Sequence, residues 1–376
     1  MKKISIGKYI QQANNYKAFI PDNFPVDAML HIPQNLLNKA VLAERLLGKL
    51  DGITQTLPDV GFFIKMFSYK DATSSSQIEG TQATMAEALE LSVKINDNET
   101  DASDIIFYIK ALNYGQKRLE DLPVSLRFIK EIHKKLMEGA RSTHYSDPGE
   151  FRKSQNWLGG LTIQQASFVP TPHDQMQDKL SDLERFLHNK ISTLPVINIA
   201  YSHAQFETIH PFLDGNGRVG RLLITFLLQH NQILEKPVLF LSSFFKKHQN
   251  LYYQKLNNYH EGNVFEWLEF FLDGVIETAQ ESINVSQTVR KIKEKDMQKI
   301  QFLGKRESEK TMKALIYLFS NPIVTNSKIA EVVGLSRQGS VNMTNRLKGL
   351  DILKEIPSKT NYDKKYIYQE YYNAFI

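Results

Sequence analysis

Residues 209–221 read IHPFLDGNGRVGR and combine side chains and backbone that could bind phosphate. Gly215, Asn216 and Gly217 can take backbone conformations in which successive N–H groups point inwards. The apolar run that follows begins a helix, and the N-terminus of a helix carries the positive end of its dipole. The sequence therefore predicts an anion nest at this point of the chain.

Four charged or titratable residues in the same segment fit chemistry at a phosphate. Arg218 and Arg221 lie three residues apart on the first helical turn, so both reach one face and can hold further phosphate oxygens. Asp214 would repel phosphate unless it holds a divalent cation, and Mg²⁺ accepts one carboxylate together with phosphate oxygens and water. His210 is a candidate general base because an unperturbed pKa of about 6.5 leaves it largely neutral at pH 7. The glycines are not followed by Gly-Lys-Ser/Thr, which argues against a Walker A loop.

The elements that must position this segment have mainly helical patterns. Apolar residues recur at four-three spacing over residues 36–50, between Pro33 and Gly52, which are helix start and stop signals. A small β-hairpin is predicted at 154–169, where two glycines separate short β-branched and aromatic runs. Further helices are predicted at 104–120, 125–138, 174–190, 196–208, 218–230, 248–259 and 264–284.

The C-terminal residues 311–376 carry a separate pattern, after a polar stretch at 286–312 that predicts a solvated helical connector. Three helices are predicted in TMKALIYLFS, SKIAEVVG and RQGSVNMTNRLKGLD, with Asn326 or Ser327 capping the second and Ser336 the third. Two strands follow in ILKEIPS and KKYIYQEYY. This order resembles a winged helix-turn-helix, and the unit is expected to be separable from the rest of the chain.

The third helix of a winged helix-turn-helix enters the DNA major groove. The side chains that it would present here are Arg337, Gln338, Ser340, Asn342 and Asn345. Winged helices also serve protein interaction, so DNA contact and pure protein contact both stay open. The net charge of +5 lies wholly in residues 301–376, which hold 12 Lys and Arg against 7 Asp and Glu. Such an excess fits a nucleic-acid contact or a solvated basic surface.

The composition narrows the class of protein. A length of 376 residues suggests two or three domains, and 42% hydrophobic with 23% charged residues argues against wholesale disorder. The absence of cysteine excludes a disulfide scaffold, a catalytic thiol and any cysteine-based metal site. No apolar stretch approaches the roughly 18 residues that span a bilayer, and the first ten residues lack the apolar region of a secretory signal. A soluble, cytoplasmic protein without membrane contact is expected.

The segment 210–221 matches the Fic family's signature, His-Pro-Phe-x-Asp-Gly-Asn-Gly-Arg-x-x-Arg, at every fixed position. Upstream, PGEFRKSQNWLGG and ASFVPTPHDQMQDKLSDLERFL resemble the family's flap hairpin and the helix after it. Downstream, LSSFFKKHQNLYYQKLNNYHEGN resembles its closing helices. The similarity covers roughly residues 60–280, and the chain is identified on these motifs as resembling a Fic protein.

The resemblance implies transfer of AMP from ATP to a hydroxyl of a target protein. By this analogy His210 deprotonates a Ser, Thr or Tyr hydroxyl, whose oxygen attacks the α-phosphorus while pyrophosphate leaves. Asp214 would hold Mg²⁺ between the α- and β-phosphates. The residues implied in binding ATP are Gly215, Asn216, Gly217, Arg218, Val219, Gly220 and Arg221.

Within that set the resemblance implies separate roles. The backbone amides of 215–217 and the Asn216 side chain would cradle phosphate, Arg218 would support the β- or γ-phosphate, and Arg221 would hold the γ-phosphate. Tyr253 and His260 match the positions that approach adenine in relatives, although asparagine is the familiar residue at the second position. The flap would align the target backbone by strand addition.

A second match lies at Ser75–Gly80, SSQIEG, which fits the family's inhibitory motif Ser/Thr-x-x-x-Glu-Gly. Ser75, Glu79 and Gly80 occupy its fixed positions. The resemblance implies that Glu79 pairs with Arg221, occupies the γ-phosphate site and repels the phosphate. Taken alone, the same residues would indicate an N-cap and an ordinary helix start.

Together these features predict a mainly α fold, with a Fic helical core, a small β-hairpin flap and a C-terminal winged helix-turn-helix. The predicted divisions are an N-terminal helical segment with the inhibitory motif (1–100), the catalytic core (101–285), the connector (286–310) and the winged helix (311–376). The predicted function is AMP transfer with ATP and Mg²⁺, held back by Glu79. The alternatives are AMP removal by the same site and a DNA-binding regulator with a Fic sensing module, and a homodimer is compatible with all three.

Overall fold

A computed structural model describes residues 3–56, 60–91, 101–139, 147–189, 192–357 and 364–375. Within these residues the chain forms fifteen α-helices and two small antiparallel sheets, so the predicted mainly α fold class is confirmed. No helix in this part of the chain is long and apolar enough to cross a membrane.

The helices of the first three quarters of the chain surround a central pair, the two helices on either side of residues 210–215. They are α1 (Gln34–Thr56), α2 (Val60–Ile78), α3 (Met85–Leu91), α4 (Asp101–Arg118), α5 (Leu126–Met137), α6 (His173–His188), α7 (Pro195–Ile209), α8 (Asn216–His230), α9 (Ser242–Lys247), α10 (Gln249–His260) and α11 (Val264–Gln301). Residues 196–209 of α7 are almost all buried, as are residues 218–228 of α8. A helix that is apolar all round must be covered on every side. The pair α7–α8 is therefore the centre of the core, and the loop between them holds residues 210–215.

The first helix extends beyond its predicted end. Gly52 was expected to stop it, but α1 continues to Thr56. A glycine inside a helix costs about 1 kcal/mol relative to alanine. The buried stripe that includes Leu47 and Leu50 offsets that cost by packing against the core.

A two-stranded sheet near the N-terminus was not predicted. Strand β1 (Gly7–Gln11) pairs antiparallel with β2 (Lys17–Pro21), and the turn between them uses Asn15 at a φ of 55°. The Phe19 amide in β2 donates to the Val169 carbonyl over 2.9 Å. This small sheet therefore supports the flap segment, 154–169, from behind.

The flap contains one β-bridge where a hairpin of two strands was predicted. Leu158 and Phe168 pair antiparallel, with N–O distances of 2.8 and 3.2 Å. A 3₁₀ turn at Ile163–Gln165 lies between them. Gly159 and Gly160 both have positive φ, 67° and 73°, so the chain turns away immediately after Leu158 and extends no ladder.

The connector is a continuation of a core helix. Helix α11 runs unbroken to Gln301, and the prediction of a solvated connector is wrong because Val289, Ile292 and Ile300 are buried. Asp296 is also buried and accepts a hydrogen bond of 2.6 Å from the Tyr368 hydroxyl. The connector is thus tied to the end of the chain, and the proposed domain limits stay predictions.

The C-terminal unit contains the three helices and two strands that were predicted, with four corrections, the first of which is an additional short strand between its first two helices. Its helices are α12 (Lys305–Ser320), α13 (Asn326–Val333) and α14 (Arg337–Gly349), followed by the short α15 (Gln369–Asn373); its strands are β3 (Ile323–Thr325), β4 (Lys354–Glu355) and β5 (Lys365–Ile367), in the order β3-β5-β4. Ser336 caps α14 as predicted, but Thr325, rather than Asn326 or Ser327, caps α13. Residues 369–373, predicted as strand, are helical. Ser340 is buried, so α14 does not present it to a groove.

The C-terminal unit packs against the N-terminal helices. The ring of Phe375 lies 6.1 Å from that of Phe63 and 5.3 Å from that of Phe67, both on α2. Lys65 on the same helix donates to the Asn321 side chain over 2.9 Å. The C-terminal end of the chain therefore contacts the helix that leads to Glu79.

Candidate active site

The loop between α7 and α8 has two left-handed residues that set its shape. His210 caps the end of α7 at φ 51° and ψ 62°, and Gly215 precedes α8 at a φ of 79°. Glycine takes this conformation freely, whereas histidine needs surrounding contacts to hold it there. Residues 215–217, at the start of α8, line the same cavity as His210. The first amides of a helix have no partner inside it, and here the Gly215 amide donates to Oδ1 of Asp214 over 2.6 Å.

Asn216 braces this loop and does not extend its side chain toward a ligand. Its Oδ1 accepts from the Phe212 amide over 2.8 Å, and its Nδ2 donates to the Phe212 carbonyl over 2.8 Å. Both ends of the amide are thus engaged, and the side chain is buried. The side chain thus anchors the loop, and its part in cradling phosphate stays a prediction.

His133 on α5 holds the other side of the loop. The Gly149 amide donates to its Nδ1 over 2.8 Å, so the proton lies on Nε2, which donates to the Asp214 carbonyl over 3.0 Å. The ring stacks on Phe212 with centroids 3.7 Å apart. Burial lowers the pKa of His133 to about 4, so the ring stays neutral. His133 therefore fixes the backbone of the predicted Mg²⁺ ligand.

His210 is placed to act as a neutral base. Its side chain is 15% exposed and lines the cavity. Burial, together with the charge of Arg152, lowers the pKa of His210 to about 4. At pH 7 the imidazole is thus uncharged and can accept a proton.

Glu207, one turn before His210 on α7, is a titratable residue that was not predicted. Its Oε2 lies 3.7 Å from Nδ1 of His210. Burial raises the pKa of Glu207 to about 8, while the charge of Arg221 acts in the opposite direction. At neutral pH this carboxyl is mainly protonated, so it does not compete with phosphate for Arg221.

Asp214 and Arg218 lie together at the edge of the cavity. The Asp214 side chain is 44% exposed, and its Oδ2 lies 3.8 Å from Nη2 of Arg218. Arg218 is buried and also donates to the sulfur of Met137. The described residues contain no group of three His, Cys, Asp or Glu that could hold a metal alone. One exposed carboxylate beside a phosphate site is the donor set with which Mg²⁺ binds nucleotides.

Arg221 and Glu79 form an ion pair across the cavity. Nη2 of Arg221 lies 2.6 Å from Oε1 of Glu79. Ser75 completes the shell of this arginine, since its hydroxyl accepts from Nε over 2.8 Å and its carbonyl accepts from Nη2 over 3.0 Å. Burial opposes the charge of Arg221, but the attraction of Glu79 outweighs it and raises the pKa of Arg221 above its usual value. A Cβ on Gly217 would lie 2.3 Å from Oε1 of Glu79, so only glycine admits the carboxylate there.

The residues that bear Glu79 end a helix and do not begin one. Helix α2 stops at Ile78, and Gly80 has a φ of 97°, which excludes the alternative of an N-cap and helix start. The last carbonyls of α2 have partners outside the helix. Lys246 donates to Gln77 over 3.1 Å, and Gln249 donates to Ile78 over 3.1 Å. Glu79 is therefore held in place by α9 and α10 as well as by Arg221.

The two predicted adenine residues line the same cavity. Tyr253 is 41% exposed, and its hydroxyl lies 3.4 Å from the Ile78 carbonyl. Thr208 donates to the Ala204 carbonyl, so its oxygen accepts from Nε2 of His260 over 3.0 Å. The His260 ring stacks on Phe168 of the flap at 3.9 Å.

One cavity of about 490 Å³ brings most of the predicted residues together. Binding clefts for small molecules are typically about 300–1,000 Å³. The predicted residues that line it are Glu79, His210, Asp214, Gly215, Asn216, Gly217, Arg221, Tyr253 and His260. Arg218, Val219 and Gly220 are buried behind it on α8, and Ser75 reaches it through Arg221.

The helical fold and this cavity are those expected of a Fic protein, and two family profiles match the sequence. The profile of the Fic/DOC family matches residues 123–228, and that of the Fic/DOC family N-terminal region matches residues 37–117. The chain therefore carries a Fic/DOC domain at residues 123–228, preceded by the N-terminal region of the same family at residues 37–117.

Individual relatives agree with this assignment. The Protein adenylyltransferase Fic of Drosophila persimilis is 29% identical over 206 residues, which cover 52% of this chain and 37% of the relative. The protein of the same name from Aedes aegypti is 30% identical over 207 residues, which cover 52% of this chain and 38% of the relative. The chain thus matches less than two fifths of the length of these relatives.

Solved structures share the fold at low sequence identity. A Fic family protein from Desulfovibrio desulfuricans G20 aligns with a TM-score of 0.57 and 17% identity, covering 90% of this chain and 96% of that one. Fic-1 from C. elegans aligns with a TM-score of 0.52 and 19% identity, covering 67% of this chain and 74% of that one.

Proposed function

We propose that this protein transfers AMP from ATP to a hydroxyl of a target protein. The observation that carries the proposal is the cavity itself, in which a neutral buried His210 faces a helix N-terminus and Arg221. A neutral base, an anion nest and a buried arginine are what in-line attack at a phosphorus requires. The names of the curated relatives support the same reaction.

In the proposed reaction His210 takes the proton of the target hydroxyl. The hydroxyl oxygen forms a bond to the α-phosphorus of ATP, and the bond from that phosphorus to the oxygen bridging to the β-phosphate breaks. Pyrophosphate leaves with the electron pair, and the target keeps AMP. Asp214 would hold Mg²⁺, which would neutralise charge on the phosphates.

Phosphate binding falls to groups around the start of α8. Residues 215–217 line the cavity, and the dipole of α8 favours an anion there. Their backbone amides would bind phosphate, for which the Gly215 amide would exchange its present acceptor, Oδ1 of Asp214 at 2.6 Å. Arg221 would hold the γ-phosphate, and Arg218, next to Asp214, would support the β-phosphate. The Asn216 side chain would act indirectly, by fixing the loop through Phe212.

We propose that Glu79 inhibits this reaction. Its carboxylate occupies Nη2 of Arg221 and lies against Gly217, where the nest would receive phosphate. A γ-phosphate that enters this place must displace the Glu79 carboxylate from Arg221. Both groups are negatively charged, so the carboxylate also repels the phosphate.

A second activity, removal of AMP from a modified protein, has one supporting observation. The Glu79 side chain is 37% exposed and lines the same cavity as His210. A carboxylate with one free oxygen in that cavity could orient a water molecule toward the phosphorus of bound AMP. The proposed direction of reaction is therefore tested on both unmodified and AMP-modified protein.

The C-terminal unit is proposed as a contact surface for DNA or protein. Gln338, Asn342 and Asn345 form an exposed stripe on α14. Several basic residues of the unit are paired with acids: Lys328 with Glu331, Arg346 with Glu307, and both Lys348 and Lys364 with Glu355. Such pairing weakens phosphate binding, which depends on free cations. Cytoplasmic location and a homodimer stay predictions.

The decisive experiment incubates the Glu79→Gly protein with α-labelled ATP, Mg²⁺ and cell lysate. We expect label on discrete target proteins, its loss in Glu79→Gly combined with His210→Ala, and its retention with the exposed control His188→Ala. Label that survives the loss of His210, or no label transferred from α-labelled ATP by any variant, would refute the proposed function.

A further inference from the structure

Arg152 lies buried beneath the catalytic loop, in a segment whose residues were not predicted to act. Its Nε donates to the His210 carbonyl over 2.9 Å, and its Nη2 donates to the Ile209 carbonyl over 3.3 Å. Its backbone N–H donates to the Pro211 carbonyl over 2.9 Å. One residue thus binds three consecutive carbonyls at the end of α7, where helix carbonyls lack internal partners.

The remaining contacts of the guanidinium hold the flap. Nη1 donates to the Ser154 carbonyl over 3.1 Å, and Nη2 donates to the Thr171 carbonyl. Ser154 is the first residue of the flap, 154–169, and Thr171 lies two residues after its end. A single buried side chain therefore joins both ends of the flap to the backbone of His210.

The energetics explain why such a contact is needed. A left-handed conformation is unfavourable for an ordinary L-residue and persists only where neighbours enforce it. A hydrogen bond from a charged donor is stronger than one between neutral groups. The bond from Arg152 to the His210 carbonyl is thus a contact that can hold this residue at φ 51°.

The charge of Arg152 also acts on His210. All four acceptors of the guanidinium are neutral carbonyls, and burial lowers the pKa of Arg152 to about 10. The same positive charge adds to burial in lowering the pKa of His210. The other titratable groups that face His210 are Glu207 on α7, Glu79 after α2, Asp214 in the loop and His260 on α10.

We propose that Arg152 is a positioning residue for the general base. It holds His210 in the left-handed conformation and fastens both ends of the flap to that residue, so that base and flap keep one fixed separation. This inference rests on the proposed function, because it takes His210 as the base and the flap as the surface that receives the target.

The test compares Arg152→Gln and Arg152→Lys in the Glu79→Gly protein, with the exposed Arg290→Gln as a matched control. Arg152 lies outside the described residues that line the cavity, so we expect KM for ATP to change less than twofold. In Arg152→Gln, kcat should fall about 10–100-fold, as expected for the loss of one charged hydrogen bond or two weaker ones. Arg152→Lys should lose less, and the control should lose nothing.

A second readout separates the charge from the contacts. The imidazole of His210 is titrated by NMR and assigned by the signal that His210→Ala removes. Loss of the positive charge in Arg152→Gln should raise the His210 pKa toward 6.5 and move the acid limb of the rate to higher pH. Arg152→Lys keeps the charge, so its His210 pKa should stay near that of the parent. A role in stability alone would give the two variants the same pKa.

Amide exchange gives a readout that needs no activity. Exchange should rise together in residues 154–169 and 209–212 when Arg152 is replaced, and this rise is expected in Arg152→Lys even if Arg152→Gln does not fold. If no variant transfers AMP, the proposed function fails while exchange and titration still decide the positioning role. Unchanged exchange in both segments, or a raised KM with unchanged kcat, would overturn the inference.

Discussion

Replacement of Glu79 by glycine tests the regulation of this site most directly. The change removes the carboxylate that lies 2.6 Å from Nη2 of Arg221 and opens the space against Gly217. Arg221 keeps its two bonds to Ser75, so the arginine should stay in position with one face free for phosphate. We expect the variant to be more active than the parent protein.

The structure limits the size of that gain. A charge-assisted hydrogen bond contributes about 1.5–3 kcal/mol when it is desolvated. Arg221 is buried, but the Glu79 side chain is 37% exposed, so solvent screening places the pair in the lower part of that range. About 1.5–2 kcal/mol corresponds to roughly 10–30-fold in the population of the productive ATP complex.

The assay measures initial rates of AMP transfer to one purified target, at subsaturating ATP, for the parent, Glu79→Gly and Glu79→Gln. Glu277→Gln, an exposed carboxylate change on α11, is the matched control. The gain should disappear when Glu79→Gly is combined with Arg221→Ala, because the γ-phosphate then has no arginine to reach. Calorimetry should show a larger difference between parent and variant with ATP than with ADP. Equal rates for parent and Glu79→Gly would refute the inhibitory role of Glu79.

Three further predictions follow from the same geometry. First, kcat/KM of the Glu79→Gly protein should stay level as pH falls from 7 to about 5 and then decline as His210 takes a proton near pH 4. A decline centred near 6.5 would contradict the buried, neutral base. Second, His133→Gln keeps an amide that can donate to the Asp214 carbonyl, so the Mg²⁺ concentration that gives half the maximal rate should not change. His133→Asn should raise that concentration about 2–10-fold. Equal concentrations for the two variants would refute the role of His133 in fixing Asp214. Third, a chain ending at residue 285 should unfold at a lower denaturant concentration than the full chain because it exposes Phe63 and Phe67. An unchanged midpoint would support the sequence-based prediction that the C-terminal unit is separable.

The parts of the site that were predictable are local in sequence. His210, Asp214, the glycines and Arg221 lie within twelve residues, so their spacing alone places them on one loop and one helical turn. The meeting of Glu79 with Arg221 was reached only through the family resemblance, because the two lie 142 residues apart. Nothing in the periodicity of either helix indicates that contact.

The residues that support the site were missed for the same reason. Arg152 contacts His210 across 58 residues, and His133 contacts Asp214 across 81. One signal was available for His133, which lies on the buried face of α5 beside Ile129 and Leu136. A buried histidine on an apolar helical face destabilises the fold unless its ring nitrogens find hydrogen-bond partners.

Two helix boundaries that depend on packing were mispredicted from the sequence. Helix α1 passes Gly52 because the buried face outweighs the local preference of one residue. Helix α11 continues through a stretch that is polar on average because Val289, Ile292 and Ile300 still recur at helical spacing on one buried face. Average polarity suggested a solvated linker, and the spacing of these few apolar residues was the more reliable signal.

Helix α2 connects the two findings that bear most on regulation. Its C-terminal end carries Glu79, held by Lys246 and Gln249 through the last carbonyls of the helix. Its first turns carry Phe63 and Phe67, which contact Phe375 at the other end of the chain. Glu79 can leave Arg221 by a change of side-chain rotamer, which breaks one ion pair, or by a shift of α2, which also disturbs the contact with the C-terminal unit. The first route costs less, so ATP should displace the carboxylate without moving the helix and should leave the contact at Phe375 in place.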